Sequence, residues 1–219
     1  MTTGGGPAGN DPYRFGTEAF YASLGRAFVA MCAVVPILFL IEVLDEGLGA
    51  GFDTAAGIIP RRIQGLDGVF FSPFLHHGFA HLYSNSIPLI LLGTFVLAAG
   101  VRRFLWSTLV IVLVSGLGVW FTGSPNSVVV GASGVIFGYL GMLFTRGIVE
   151  RSWWNFAVAL LVGLLYGWQV LGGILPTDER ISWQGHLFGL LGGVVAAILF
   201  RRRRTDLVGP YPESHLHLP

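Results

Sequence analysis

The chain has 219 residues, of which 53% are hydrophobic and only 11% charged; soluble domains carry about a quarter charged residues, and with a mean hydropathy of +0.69 the solvent for this chain is lipid. Its 13 basic residues, all arginine, nearly balance 12 acids for a net charge of +1, which leaves no surplus to hold a nucleic-acid backbone. The single cysteine, Cys32, cannot close an internal disulfide, and 32 glycines suit close helix packing better than a globular core.

The glycine-rich opening, Met1 to about Gly16, lacks the apolar run and cleavage site of a secretory signal, and residues 1–20 read as a disordered tail. Apolar runs of roughly 17–25 residues, the length that crosses a bilayer core, then follow in order: Ala27–Leu44, Phe79–Gly100, Phe104–Phe121, Val128–Thr145, Trp153–Ile174 and Ile181–Phe200. They predict an all-α polytopic membrane protein with six transmembrane helices over residues 21–204 and a tail over 205–219. Pro36 and Pro88 predict kinks in the first two spans. Glu42, near the outer end of the first span, is expected to reach the interface, and Trp153, Trp154 and Trp183 to sit in the interfacial belts. The connection from about Asp45 to Gly78 is far longer than the others and ends in the apolar Gly68–Leu75, which predicts a functional loop partly embedded at the outer interface.

Short cytoplasmic loops carry the excess of positive charge. Arg14, Arg26, Arg102, Arg103, Arg146, Arg151 and Arg201 to Arg204, 10 of the 13 arginines, fall on one side. The other side has Arg61, Arg62 and Arg180, offset by Asp45, Glu46, Asp53, Asp67, Asp178 and Glu179, so both termini are expected in the cytoplasm.

Polar groups within apolar spans need a partner or a water-filled cavity, and they are where function is first sought. His81, Asn85, Ser133 and His186 stand out, each in the first turns of a span that starts on the outer side, so at ~1.5 Å rise per residue they converge at one depth. His81 and Asn85 are four residues apart and share a helix face. Ser133 follows Gly131 and Ala132 at a helix start, where backbone N–H groups are free. Gly134, Gly138 and Gly141 on the fourth span, and Gly185, Gly189 and Gly193 on the sixth, predict small-residue faces that bring backbones close enough for a serine to reach an imidazole. Serine and histidine make a nucleophile and a general base, and a second histidine with an asparagine makes an oxyanion hole together with the Ser133 N–H. That is the equipment for acyl transfer, most simply hydrolysis of a peptide bond. The spans carry no pair of aspartates and the chain no H-E-x-x-H, which disfavours the aspartyl and zinc routes.

At these residues the chain resembles the rhomboid family of intramembrane serine proteases. The motifs are His76-His77-Gly78-Phe79-Ala80-His81-Leu82-Tyr83-Ser84-Asn85, Gly131-Ala132-Ser133-Gly134 and Gly185-His186-Leu187-Phe188-Gly189, in the family's order and spans over about residues 20–204. The resemblance implies a rhomboid fold, with Ser133 as nucleophile, His186 as base, and His81 and Asn85 holding the oxyanion with the Ser133 amide. It implies that His76 lies near the site, and that Phe137 packs against His186 where the family often has a tyrosine. Two departures are visible: Asp67-Gly68 stands where many members have a Trp-Arg pair that anchors the long loop, and His77 is an extra histidine.

Each residue also has a plainer reading. Serine packs well between transmembrane helices, a buried histidine can be an interhelical hydrogen bond, and His81 and Asn85 can be glue between helices. An interfacial histidine such as His77 most often faces headgroups. A metal site from His76, His77 and His81 lacks a Cys, Asp or Glu nearby to complete it. His215 and His217 read as solvated tail residues, and Arg201–Arg204 as a topology anchor. The combined expectation is a prokaryotic cell-membrane endopeptidase that cleaves single-span transmembrane proteins, meets its substrates in membrane lipid and needs no cofactor. The alternative is a catalytically inactive relative that binds transmembrane helices; a transporter would show inverted repeats, which the chain does not.

Overall fold

The computed structural model describes residues 15–165 and 182–201. The end of the fifth predicted span, Arg180 with its acidic neighbours, Arg202–Arg204, His215, His217 and most of both predicted tails lie outside the described residues. Helices α1 (Glu18–Glu42), α4 (Phe79–Ala98) and α5 (Val101–Thr122) are long and apolar enough to cross a membrane. Three shorter apolar helices follow: α6 (Ser133–Val149), α7 (Trp153–Leu165) and α8 (Trp183–Leu199). The connection after α1 folds into a π-turn (Val43–Gly47), two short helices, α2 (Phe52–Ala56) and α3 (Gly68–Phe71), and single 3₁₀ turns.

Helix α1 starts nine residues before its predicted apolar run because Thr17 caps it, accepting the Phe20 N–H at 3.1 Å. It runs antiparallel to α4: Ser23 donates to Ala98 O at 2.9 Å at one end, and Phe39 meets Tyr83 edge to face at 4.9 Å at the other. Pro36 and Pro88 lie within α1 and α4.

Helix α6 is the most enclosed element. Val135, Ile136, Tyr139, Met142 and Leu143 pack with Leu82, Leu89 and Leu92 of α4, Ile111 of α5, Val158, Ala159 and Val162 of α7 and Ala196 and Ala197 of α8 in one apolar core. The outward faces are apolar too, with Val29, Leu105, Leu164 and Leu199 all more than half exposed; helices coated on this scale with hydrocarbon belong in lipid. Charge is confined to the ends. Near the start of α5 and the end of α6, Glu150 pairs with Arg103 and, at 3.1 Å, with Arg146, all three largely buried.

One expectation needs correction, and one helix starts where its serine implied and later than its apolar run. Glu42 does not reach the interface: it is 1% exposed, buried with its carboxyl near the backbone of Gly78, the residue that opens α4. Helix α6 begins at Ser133, five residues later than its apolar run. The cause is tertiary: Val129 exchanges both backbone hydrogen bonds with Ile58 of the long connection, at 2.9 Å each, and Gly131 turns the chain at φ +124°.

That pairing also shows how the connection is held without a Trp-Arg pair. Arg61 N donates to Trp120 O and its guanidinium to Gly123 O, both at 2.9 Å, while the Trp120 indole returns a bond to Arg62 O. Further along, Gly68 lies against the Gly57 backbone and Gly116 of α5 against Val69. Asp67 caps α3 by accepting the Gly68 N–H. The apolar end of the connection is half sunk, Val69 buried while Phe70, Phe71 and Phe74 are about half exposed.

Candidate active site

Helices α4, α6 and α8 all begin at the same end of the molecule, around a cavity of about 1310 Å³ whose walls include Ser133, His186, His81, Asn85, Gly131 and Gly134. The predicted site residues therefore do converge.

Backbone contact sets the approach of α6 to α8. A Cβ at Gly189 would meet the carbonyl carbon of Gly134 at 3.0 Å, one at Gly193 would meet that of Gly138 at 2.8 Å, and one at Gly141 would reach Leu190 O at 2.5 Å. These are contacts that no side chain tolerates, and they hold the Ser133 end of α6 against the His186 end of α8. Ser115 of α5 adds a clasp, donating to Gly185 O at 2.9 Å. His186, 8% exposed, lies flat on Phe137, with ring centroids 4.2 Å apart and planes 6° from parallel.

Ser133 is the first residue of α6, so its N–H has no partner within the helix. The peptide in front of it is held from below: Gly131 N donates to Ser72 O at 2.9 Å, and Ala132 N reaches His76 Nε2 at 3.5 Å. His76 is 1% exposed. Burial, with its histidine neighbours His81 and His77 adding to it, holds its imidazole far below the usual value, at about 3, so the ring stays neutral and keeps a lone pair for that amide.

Across Gly131 lies the other polar wall. A Cβ at Gly131 would fall 2.9 Å from His81 Nε2 and 3.8 Å from Asn85 Nδ2, so only glycine lets these two side chains close over the approach to Ser133. The His77 N–H donates to His81 Nδ1 at 3.4 Å; with Nδ1 accepting, the His81 proton sits on Nε2, the nitrogen nearer Gly131. Asn85 is 6% exposed and its Nδ2 is buried with no hydrogen-bond partner among the described residues. Two donors are thus turned toward one place and not consumed by protein acceptors, which is what an oxyanion requires.

Sequence reasoning passes over one residue that builds this site and underrates another. Ser115 does not stand out in its apolar run, although a Ser-Gly pair facing a glycine-rich span is the signal that could have marked it. His77 is no bystander facing headgroups: its ring lies 3.0 Å from Asp53 and 3.4 Å from Val128 O.

Comparison with known proteins agrees with this geometry. The description "Rhomboid domain" matches residues 64–203. The chain is 41% identical over 172 residues to uncharacterized protein Rv1337 of Mycobacterium tuberculosis, covering 75% of this chain and 71% of that protein. It is 35% identical over 136 residues to rhomboid protease GluP of Bacillus subtilis, covering 56% of this chain and 24% of that protein. To putative rhomboid protease YdcA of the same organism it is 30% identical over 131 residues, covering 57% and 62%. With the family match spanning more than half of its length and the family's motifs meeting in one cavity, this integral membrane protein belongs to the rhomboid family.

Proposed function

We propose that the chain is an intramembrane serine endopeptidase, with Ser133 as nucleophile and His186 as general base. The observation that carries this is the shared cavity: Ser133 and His186 line it from two helices packed backbone to backbone, and His81 and Asn85 line its opposite wall. The names of GluP and YdcA point the same way.

In this reading the six apolar helices each cross the bilayer, both termini are cytoplasmic, and the cavity opens to the outer side. A single-span substrate enters sideways from lipid past α4 and α7 and unwinds locally. Ser133 Oγ attacks the scissile carbonyl carbon as His186 takes the hydroxyl proton. The tetrahedral oxygen is held by His81 Nε2–H, Asn85 Nδ2 and the Ser133 N–H. His186 returns its proton to the leaving amine, and water releases the acyl group from Ser133. The face of Phe137 holds the His186 ring flat, and an aromatic face also attracts the imidazolium formed during acylation. The chemistry is complete without a metal or organic cofactor.

The test is labelling of the detergent-solubilised protein with a fluorophosphonate probe, beside Ser133→Ala and His186→Ala. Labelling of the parent that disappears in both variants is the expected result. A folded parent that does not label, or a Ser133→Ala variant that labels equally, overturns the dyad and leaves a protein that binds transmembrane helices without cutting them.

A further inference from the structure

We propose that His77, braced by Asp53, is a positioning residue that keeps His81 in the tautomer able to donate to the oxyanion; the inference rests on the serine-protease reading above.

His77 sits where three segments meet at the mouth of the cavity. Its Nδ1 lies 3.0 Å from Asp53 Oδ2 on α2, its Nε2 lies 3.4 Å from Val128 O in the segment leading to α6, and its backbone N–H donates to His81 Nδ1 at 3.4 Å in the first turn of α4. Asp53 is itself seated, its own N–H donating to the buried Asp45 carboxylate at 3.0 Å and its Oδ1 accepting the Thr54 N–H. On the other side Val128 adjoins Val129, which is paired with Ile58. The His77 ring thus spans two anchored segments, and its backbone amide is aimed at His81 as a consequence.

The bond to His81 resembles a capping box, in which the third residue of a helix reaches back to an N–H just outside it. His81 occupies that third position after the N-cap Gly78. What sets this instance apart is that the capping side chain is also an oxyanion donor. With the His77 amide in place, Nδ1 must be the acceptor and Nε2 carries the proton. Without it the other tautomer becomes accessible, and Nε2 then turns a lone pair toward a developing negative charge. Such a loss is felt in the transition state, where the oxyanion exists, and not in ground-state binding. A partly exposed contact such as that of His77 with Asp53, side chains 49% and 26% exposed, contributes little to global stability.

The experiment follows saturation kinetics of fluorophosphonate labelling, which places a phosphoryl oxygen where the oxyanion forms, in parent, His77→Ala, His77→Asn, Asp53→Ala and His81→Ala proteins and in the His77→Ala/His81→Ala double variant. Expected for His77→Ala and Asp53→Ala is a maximal labelling rate about tenfold lower, a part of the ~100-fold that loss of a whole oxyanion donor costs. The half-saturating probe concentration and the melting midpoint stay unchanged. His77→Asn, whose amide nitrogen overlays Nδ1, recovers most of the rate. In the His81→Ala background, His77→Ala causes no further loss, because residues acting through one another are not additive. Labelling of His77→Ala at the parent rate overturns the proposal, as does a loss that multiplies undiminished in the His81→Ala background. A parent that fails to label overturns the protease reading instead.

Discussion

On α8, a Cβ at Gly189 would meet the backbone of Gly134 within 3.0 Å, whereas on α7 Gly163 has nothing within 4 Å. Both are glycines in apolar helices beside the same cavity, yet one is a structural necessity and the other is free. The seam between α6 and α8 carries the proposed nucleophile and base, Ser133 and His186, and it is closed by main chain against main chain. At the cavity the side toward α7 is built from side chains, with Val162, Leu140 and Leu92 lining it, while at the far end of α6 a Cβ at Gly147 would meet the Phe156 backbone at 2.8 Å. Tight main-chain packing is concentrated where Ser133 and His186 face the cavity, and looser side-chain packing lies toward α7.

The largest effect that would break this contrast is expected at Gly189→Ala. Overpacking a rigid contact costs roughly 1–3 kcal/mol, and here the obstacle is a carbonyl that no rotamer change can move. The melting midpoint in detergent is expected to fall by several degrees, with fluorophosphonate labelling lost at temperatures where the parent still reacts. A variant as stable and as reactive as the parent would show that the seam can open at little cost.

An intermediate effect is expected on acidification, and it tests the floor beneath Ser133. Burial lowers the folded-state value of His76 from 6.5 to about 3, so the unfolded chain binds a proton more readily than the folded one. Its contribution to stability is therefore present above pH 6.5 and is lost progressively as pH falls from there toward 3. The midpoint measured between pH 8 and pH 4 is expected to drop more steeply for the parent than for His76→Gln, whose amide oxygen can still accept from Ala132. Equal slopes would mean that His76 does not sense the fold.

The smallest effect is expected at Gly163→Ala on the loose side. Alanine is favoured over glycine in a helix by ~1 kcal/mol, and nothing stands in its way. The midpoint is expected to rise slightly with labelling unchanged; a clear loss of stability would show that α7 is packed as tightly as α8.

What can be read from the chain alone follows from this division. Spacing in one dimension reveals the glycine faces of α6 and α8, because each is written within a single helix. It also reveals Ser133, His186, His81 and Asn85, because polar residues are conspicuous among apolar ones. The start of α6 at Ser133 is legible from Gly131 and Ala132 before it, but what holds the segment ahead of it out of the helix, Val129 finding Ile58 some seventy residues earlier in the chain, is hidden. The brace at His77 and the burial of Glu42 are hidden for the same reason: each is set by the path of the connection between α1 and α4. Arg61 and Trp120, which anchor that connection in place of the missing pair, carry no local pattern.

Glu42 has one further consequence. Helix α1 is fastened to α4 at one end through Ser23 and Ala98, and at the other end Glu42 is buried near the Gly78 backbone. Its apolar run, residues 27–44, covers about 27 Å at ~1.5 Å each, close to the ~30 Å hydrocarbon layer, and the orientation that α1 takes in lipid is shared by α4 and so by His81 and Asn85. A helix that contributes none of the described lining of the cavity thereby bears on how that cavity sits in the bilayer.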